Sequence, residues 1–323
     1  MKHKKPVSVI TDGDEAMKNV LVRLMPETHH RLCSWHIGRN IGQNLKSEKA
    51  IKSFSKLMFA SLTVPEWEAQ WRVAVDMHQL QNNEWVSALY KKQTRWAETF
   101  FRGHFFAGMC STQRCEGMNC QFKKRLDPTT TISAMMGRLE WKQRRIRDRV
   151  LRDNFNAKNS TLVFDTHLRQ LEKEACKTFS HDIFIMIKSQ MNFGDKFVVH
   201  QRFTFPNADA VVSYVGQYDK VERRWSVDYH GNKGNPQWSC SCKMYESDGI
   251  PCAHLFCVFK KELVTEFPPC LINKQWTREV GRQQLSHHVW KFPTTAPQSA
   301  QSLLKLERHV QITRSPLKAS TPQ

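Results

Sequence analysis

No stretch of the 323 residues stays apolar for the roughly 20 positions that a membrane-spanning helix needs. The N-terminal "MKHKKPVSVITDGD" is basic, but its apolar segment is too short for a secretory signal. These two absences exclude an integral helical membrane protein and lead us to expect an intracellular one. In that compartment the ten cysteines are expected as buried thiols or metal ligands rather than as disulfides. Acid is also scarce, with 30 acidic against 49 basic residues and a net charge of +19. Such an excess favours a polyanionic partner, nucleic acid ahead of a membrane surface, although dispersed lysines can equally form a solvated face. Internal repeats are missing too.

The 40% hydrophobic content is ordinary for a globular chain. "PVSVITDGDEAMKNVLVRLMPE" reads as a short strand, a turn and an amphipathic helix with Met17, Val20, Leu21 and Leu24 at helical spacing. "HHRLCSWHIGRNIGQNL" reads as a brief strand running into a helix with Ile37, Ile41 and Leu45 on one face. From about Glu48 to Arg152 the pattern is mostly helical, broken near Pro65 and Pro128, with Trp67, Trp71, Trp85 and Trp96 spaced to pack between helices. A second helical stretch is expected from about Thr161 to Met191. "DKFVVHQRFTF", "AVVSYVGQY" and "RRWSVDYHG" then read as short strands, and "AHLFCVFKKELV" as a helix. From about Ser286 the sequence is rich in Gln, Ser, Thr and Pro, as expected of a disordered tail.

Residues 240 to 254, "CSCKMYESDGIPCAH", have the spacing C-x-C-x9-C-x-H. Zinc takes four soft or borderline donors at tetrahedral corners, and Cys240, Cys242, Cys252 and His254 supply them. The two sulfurs of C-x-C lie close along an extended or tightly turned chain, Gly249 and Pro251 suit a fold-back, and Cys252 and His254 arrive at the start of the apolar helix. A helix N-terminus stabilises thiolate charge. The alternative is four unrelated core residues, since free cysteine is commonly buried. Four protein ligands leave no open position, so the expected zinc is a single structural ion rather than a catalytic one. Cys257, one turn beyond His254, is expected to pack in the core.

The spacing resembles the SWIM zinc finger, and "YESDGIPCAHLFCVF" is similar to its version in plant FAR-RED IMPAIRED RESPONSE-related proteins. "INKQWTREV" resembles a later segment of that family, with Gln275 where a basic residue is usual.

Two carboxylates invite a catalytic reading. Asp12 ends the first apolar strand, where metal-binding acids of α/β folds sit, and Glu116 falls in the opening turns of an expected helix after the capping candidates Ser111 and Thr112. Each alone reads equally as a turn residue or a solvated acid. "TDGDEAMKNVLVRLMPETHHRLCSWHIGRNI" resembles Mutator-like transposases and their domesticated relatives, and "FFAGMCSTQRCEGMN" resembles their last-acid segment, with Cys115 where a serine is usual. That resemblance implies an RNase H-like core in which three acids hold two metal ions. Asp12 would be the second acid and Glu116 the third, with the first on a strand upstream of residue 1. We therefore expect an N-terminally truncated core, no active catalytic residue, vestigial Asp12 and Glu116, and no Mg²⁺. Cys33 and His36 of "CSWH" are two ligands short of a zinc set and are expected to pack or position beside that centre.

"CQFKKRL" contributes Lys123, Lys124 and Arg125, and "EWKQRRIRDRV" contributes Lys142, Arg144, Arg145, Arg147 and Arg149. They read either as phosphate contacts or as a solvated helix pairing internally through Glu140 and Asp148.

The expected fold is α+β. A partial RNase H-like core with a large helical insertion covers 1–155, a helical connector 156–194, a small β-rich SWIM region 195–285, and a disordered tail 286–323. The resemblance implies a nuclear, zinc-binding transcription regulator, catalytically inactive and linked to light-responsive gene expression in plants. Its expected partners are DNA, bound non-specifically, and other regulators of the same family; neither a membrane nor a small-molecule substrate is expected. The competing expectation is a piece of an active Mutator-type DDE transposase that cuts and joins DNA.

Overall fold

The computed structural model describes residues 5–123, 129–159, 163–218, 220–231 and 236–279. The chain opens with strand β1 (Ser8–Thr11), helix α1 (Glu15–Leu24) and strand β2 (His29–Leu32). β1 and β2 pair in parallel, from Ser8 opposite His29 to Thr11 opposite Leu32, with α1 as the crossover. The Asp14 carboxylate caps α1 by accepting from the Met17 N–H at 2.8 Å. Of the face expected from Met17, Val20, Leu21 and Leu24, only Leu21 is buried. A sheet of two strands offers too little surface to cover the remainder of that stripe.

Helix α2 (Ser34–Asn44) buries Ile37 and Ile41, and Leu45 closes that face as expected. Helices α3 (Glu48–Met58), α4 (Val64–Met77) and α5 (Glu84–Tyr90) complete a helical core with it. Trp67 and Trp96 are fully buried and Trp71 nearly so. The rings of Trp67 and Trp71 stack at 5.2 Å between centroids. Each fully buried indole stays satisfied, Trp67 Nε1 donating to the Leu57 carbonyl at 3.0 Å and Trp96 Nε1 to that of Leu89 at 2.9 Å. Burying one such ring is worth up to about 4–6 kcal/mol of apolar transfer. Pro65 stands in the first turn of α4, where a missing N–H costs nothing, so the break it marks is a helix start. Pro128 lies outside the described residues. Helices α6 (Gln113–Lys123) and α7 (Ile132–Asn159) follow.

The helical stretch expected from 161 to 191 is two helices, α8 (Arg169–Thr178) and α9 (His181–Gly194). Phe179 and Ser180 separate them: Ser180 donates its N–H to the Trp276 carbonyl at 3.0 Å, and Arg278 Nε donates to the Phe179 carbonyl at 2.8 Å. Strands β3 (Phe197–Phe205), β4 (Ala210–Gln217), β5 (Lys220–His230) and β6 (Gln237–Cys240) form an antiparallel meander in that order. Short helix α10 (Met244–Asp248) and helix α11 (Ala253–Lys261) complete it. α9 approaches α11 closely at Gly194, where a Cβ would meet the Ala253 carbonyl at 3.1 Å. The architecture is α+β.

Residues 156–194 act as more than a connector. Leu171, Phe179, Phe184 and Ile187 of this segment share one core with Val215, Val227, Cys240, Cys252 and Phe256 of the sheet and α11. Ser247 links this core to the helical one: its carbonyl accepts from the N–H groups of Phe106 and Ala107, and its hydroxyl accepts from that of Gly103. The tail expected from residue 286 lies outside the described residues.

Candidate metal centres

β6 delivers Cys240 at its last residue, and the chain then turns through Cys242 and Lys243, the latter left-handed at φ 57°. α10 ends at Gly249 (φ 72°), whose N–H closes on the Tyr245 carbonyl at 2.7 Å. Ile250 plugs the core, and Cys252 becomes the N-cap of α11, placing His254 in its first turn. The Ala253 N–H is braced by Gln190 Oε1 of α9 at 3.1 Å, a support that sequence alone did not reveal. The structure thus brings all four expected ligands together.

The donor atoms of Cys240, Cys242, Cys252 and His254 all lie within 4.8 Å of one another, and all but Cys242 are buried. Cys240 Sγ lies 3.7 Å from His254 Nδ1. A tetrahedral zinc with ordinary bond lengths separates a sulfur and a nitrogen ligand by about 3.6 Å. Without a cation the three thiols cannot all ionise together, because their negative charges would repel in a buried site. Cys240 and Cys252 are pushed well above the ordinary thiol range, the first chiefly because it keeps its proton to donate a hydrogen bond to Cys242 and the second by burial. Cys242 is driven far down because Cys240 and Cys252 donate to it. A dication would replace those shared protons. The imidazole is clamped by Trp225, stacked at 4.2 Å, and by the edge of Phe197. The set fits one structural Zn²⁺. Cys257 packs in the core as expected, its thiol pushed up to about 11 by burial.

A second group combines Cys33, His36 and Glu116, whose donor atoms also lie within 4.8 Å of one another. Cys33 is the N-cap of α2, and the Thr112 N–H donates to its sulfur at 3.3 Å. The Thr112 hydroxyl lies 3.3 Å from that sulfur and 2.7 Å from Glu116 Oε1, so its single proton serves one of them at a time. Burial raises the Cys33 thiol, but the Thr112 and His36 hydrogen bonds outweigh it and hold the thiol below its ordinary value. Glu116 therefore stands with Cys33 and His36, a grouping that sequence reading split between two separate motifs. Asp12 is exposed, accepts only a long contact from the Asp14 N–H at 3.4 Å, and joins neither group among the described residues.

Lys142, Arg145 and Arg149 follow i, i+3, i+7 spacing on α7 and share one face, which Arg138 and Arg152, unremarked in the sequence, extend at either end. Arg144 and Arg147 lie on the other side of the helix, and Lys123 is exposed at the end of α6. Lys124 and Arg125 lie outside the described residues. Among the described residues, Lys142, Arg144, Arg145 and Arg149 make no ion pair with Glu140 or Asp148; Arg145 instead lies over the Trp141 ring at 4.9 Å.

Family comparisons agree with this geometry. Residues 1–40 match the MULE transposase domain and residues 225–259 match the SWIM zinc finger. Over 283 residues, 86% of this chain, it is 26% identical to Protein FAR1-RELATED SEQUENCE 5 of Arabidopsis thaliana, covering 35% of that protein. It is 25% identical to Protein FAR-RED IMPAIRED RESPONSE 1 of the same plant, covering 90% of this chain and 36% of the relative. Over most of its length the chain is similar to FAR1-related proteins. It is a transposase-derived zinc-finger protein and spans about a third of the length of these curated relatives. No solved structure is significantly similar to it. No described helix of the chain is long and apolar enough to cross a membrane.

Proposed function

We propose that this FAR1-related chain is a catalytically inactive part of a nuclear transcription regulator, linked in plants to light-responsive gene expression. The observation that carries the reading is the buried, four-donor zinc set built into a sheet–helix core, a closed site that shapes a surface and leaves no position for substrate. Glu116 supports the non-catalytic part, because it sits with a thiol and an imidazole rather than with Asp12. An oxygen-only, two-metal clamp needs its carboxylates together. General DNA affinity is assigned to the basic face of α7, and contacts with other regulators of the family to the zinc module. The light connection comes from the name of the FAR-RED IMPAIRED RESPONSE 1 relative.

A second reading, a piece of an active Mutator-type transposase, draws on Asp12, which leaves β1 exposed at its carboxyl end. One experiment separates them. The chain is fused to a heterologous DNA-binding domain and expressed in plant cells over a reporter, in darkness and in far-red light. A nuclear, light-dependent change in reporter output that Cys252→Ser removes is the expected result. An unchanged reporter, together with Mg²⁺-dependent cutting of terminal-repeat DNA by the purified chain, would overturn the regulator reading.

A further inference from the structure

We infer that Cys33, His36 and Glu116 form a second metal site, distinct from the structural zinc, that takes one ion of the Zn²⁺ class with a water or exchangeable ligand in its fourth position. Three parts of the fold converge there. Cys33 follows β2 and is fixed by its N–H to the Thr11 carbonyl at 2.7 Å, which continues the parallel ladder. His36 lies in the first turn of α2, and Ser34 beside it donates its N–H to the Cys110 carbonyl at 2.9 Å, tying that turn to the segment leading into α6. Glu116 lies in the first turn of α6, its N–H on the Thr112 carbonyl at 3.0 Å.

The donor chemistry selects the ion. A thiolate, an imidazole and a carboxylate within 4.8 Å of one another suit Zn²⁺ or Co²⁺, whereas Mg²⁺ demands oxygen ligands in octahedral array. His36 Nε2 lies 3.7 Å from Glu116 Oε1, while its Nδ1 is buried without a hydrogen-bond partner among the described residues. The ring's productive side is therefore the one facing the cluster. Thr112 supplies the outer hydrogen bonds, its N–H orienting the sulfur and its hydroxyl the carboxylate. A nucleophilic role for the thiol is ruled out by access, since Cys33 is wholly buried. The side chains of His36 and Glu116 are 26% and 41% exposed, so the open coordination position faces solvent on their side. With three protein ligands rather than four, this site binds more weakly than the closed set and loses its ion on dialysis.

The test uses the full chain carrying its structural zinc, titrated with Co²⁺ while released zinc is monitored. The expected result is one further equivalent bound without zinc release, with a thiolate-to-cobalt charge-transfer band and tetrahedral d–d absorption. Cys33→Ser removes the charge-transfer band. Glu116→Gln, a change on the exposed side that keeps the Thr112 hydrogen bond, weakens Co²⁺ binding at least about tenfold. Excess Mg²⁺ does not compete. Circular dichroism and retained zinc verify the fold of each variant. Absence of a second equivalent, persistence of the band in folded Cys33→Ser, or unchanged affinity in folded Glu116→Gln would overturn the proposal.

Discussion

The indole of Trp276 lies across Gly249, and its Nε1 donates to the Asp248 carbonyl at 2.9 Å. This contact ties the segment after α11 to the turn that returns the chain from α10 to Cys252. A Cβ at position 249 would stand 2.5 Å from Trp276 Nε1 and 2.6 Å from Asn273 Nδ2, on a backbone already at φ 72°. Gly249→Ala therefore meets both left-handed strain and overpacking, and should destabilise the chain by about 2–3 kcal/mol. Denaturant unfolding checks this. In a double-mutant cycle Trp276→Ala should offset part of that cost, giving a non-additive pair; strict additivity would show that the indole is not what meets the added methyl.

Metal removal should act on one core and spare the other. Cys240 and Cys252 belong to the cluster that holds β3–β6, α8, α9 and α11, so the ion is part of that core's folding energy. The dialysed chain should retain about one zinc. Chelation, or Cys252→Ser, should abolish native packing of the sheet while the Trp67–Trp71–Trp96 core stays protected in hydrogen exchange. A sheet region that keeps its protection without metal would show that zinc is not structural there.

What the sequence disclosed depended on how local the physics was. The ligand spacing, the alternating strands around Val215 and Val227, and the helical period of Ile37, Ile41 and Leu45 are short-range patterns, and each was legible. The interruption at Phe179 was not. Neither proline nor glycine marks it, and the backbone there is claimed by Trp276 and Arg278, almost a hundred residues away. β6 escaped notice because four residues ending in a ligand carry too little pattern. The Cys33–His36–Glu116 grouping was half legible: C-x-x-H on a helix start puts both groups near one another, but the third donor comes from 80 residues downstream.

Acid should loosen the start of α4. Thr63 and Glu66 form a capping box in which the Thr63 N–H and hydroxyl both donate to Glu66 Oε2, at 2.7 and 2.8 Å. The Thr63 N–H chiefly, then its hydroxyl, hold the Glu66 carboxyl below the usual range. Because the folded value is depressed, the stabilisation is fully present above the unfolded glutamate value and disappears as pH falls through the folded one. Glu66→Gln keeps an acceptor without the charge, so its stability should lose this acid-side dependence. Thr63→Ala should cost about 1 kcal/mol at neutral pH. Denaturation midpoints from neutral to acid pH for the three proteins would decide it; parallel curves would remove the capping box from the account.

DNA affinity, if the basic face of α7 provides it, should carry a definite salt signature. Lys142, Arg145 and Arg149 line one side of a 28-residue helix about 42 Å long, with Arg138 and Arg152 continuing the row. Each phosphate neutralised on duplex DNA contributes about 0.9 to the slope of log affinity against log salt. Replacing Lys142, Arg145 and Arg149 together by glutamine should therefore weaken binding to any duplex sequence alike and flatten that slope by about 2.7. Asp12→Ala and Glu116→Ala should leave affinity and slope largely intact, since neither acid lies on that helix. Fluorescence anisotropy across a salt series measures both quantities. A triple variant with the parent slope would move the nucleic-acid surface elsewhere, and a large loss in folded Asp12→Ala or Glu116→Ala would return the acids to a working role at DNA.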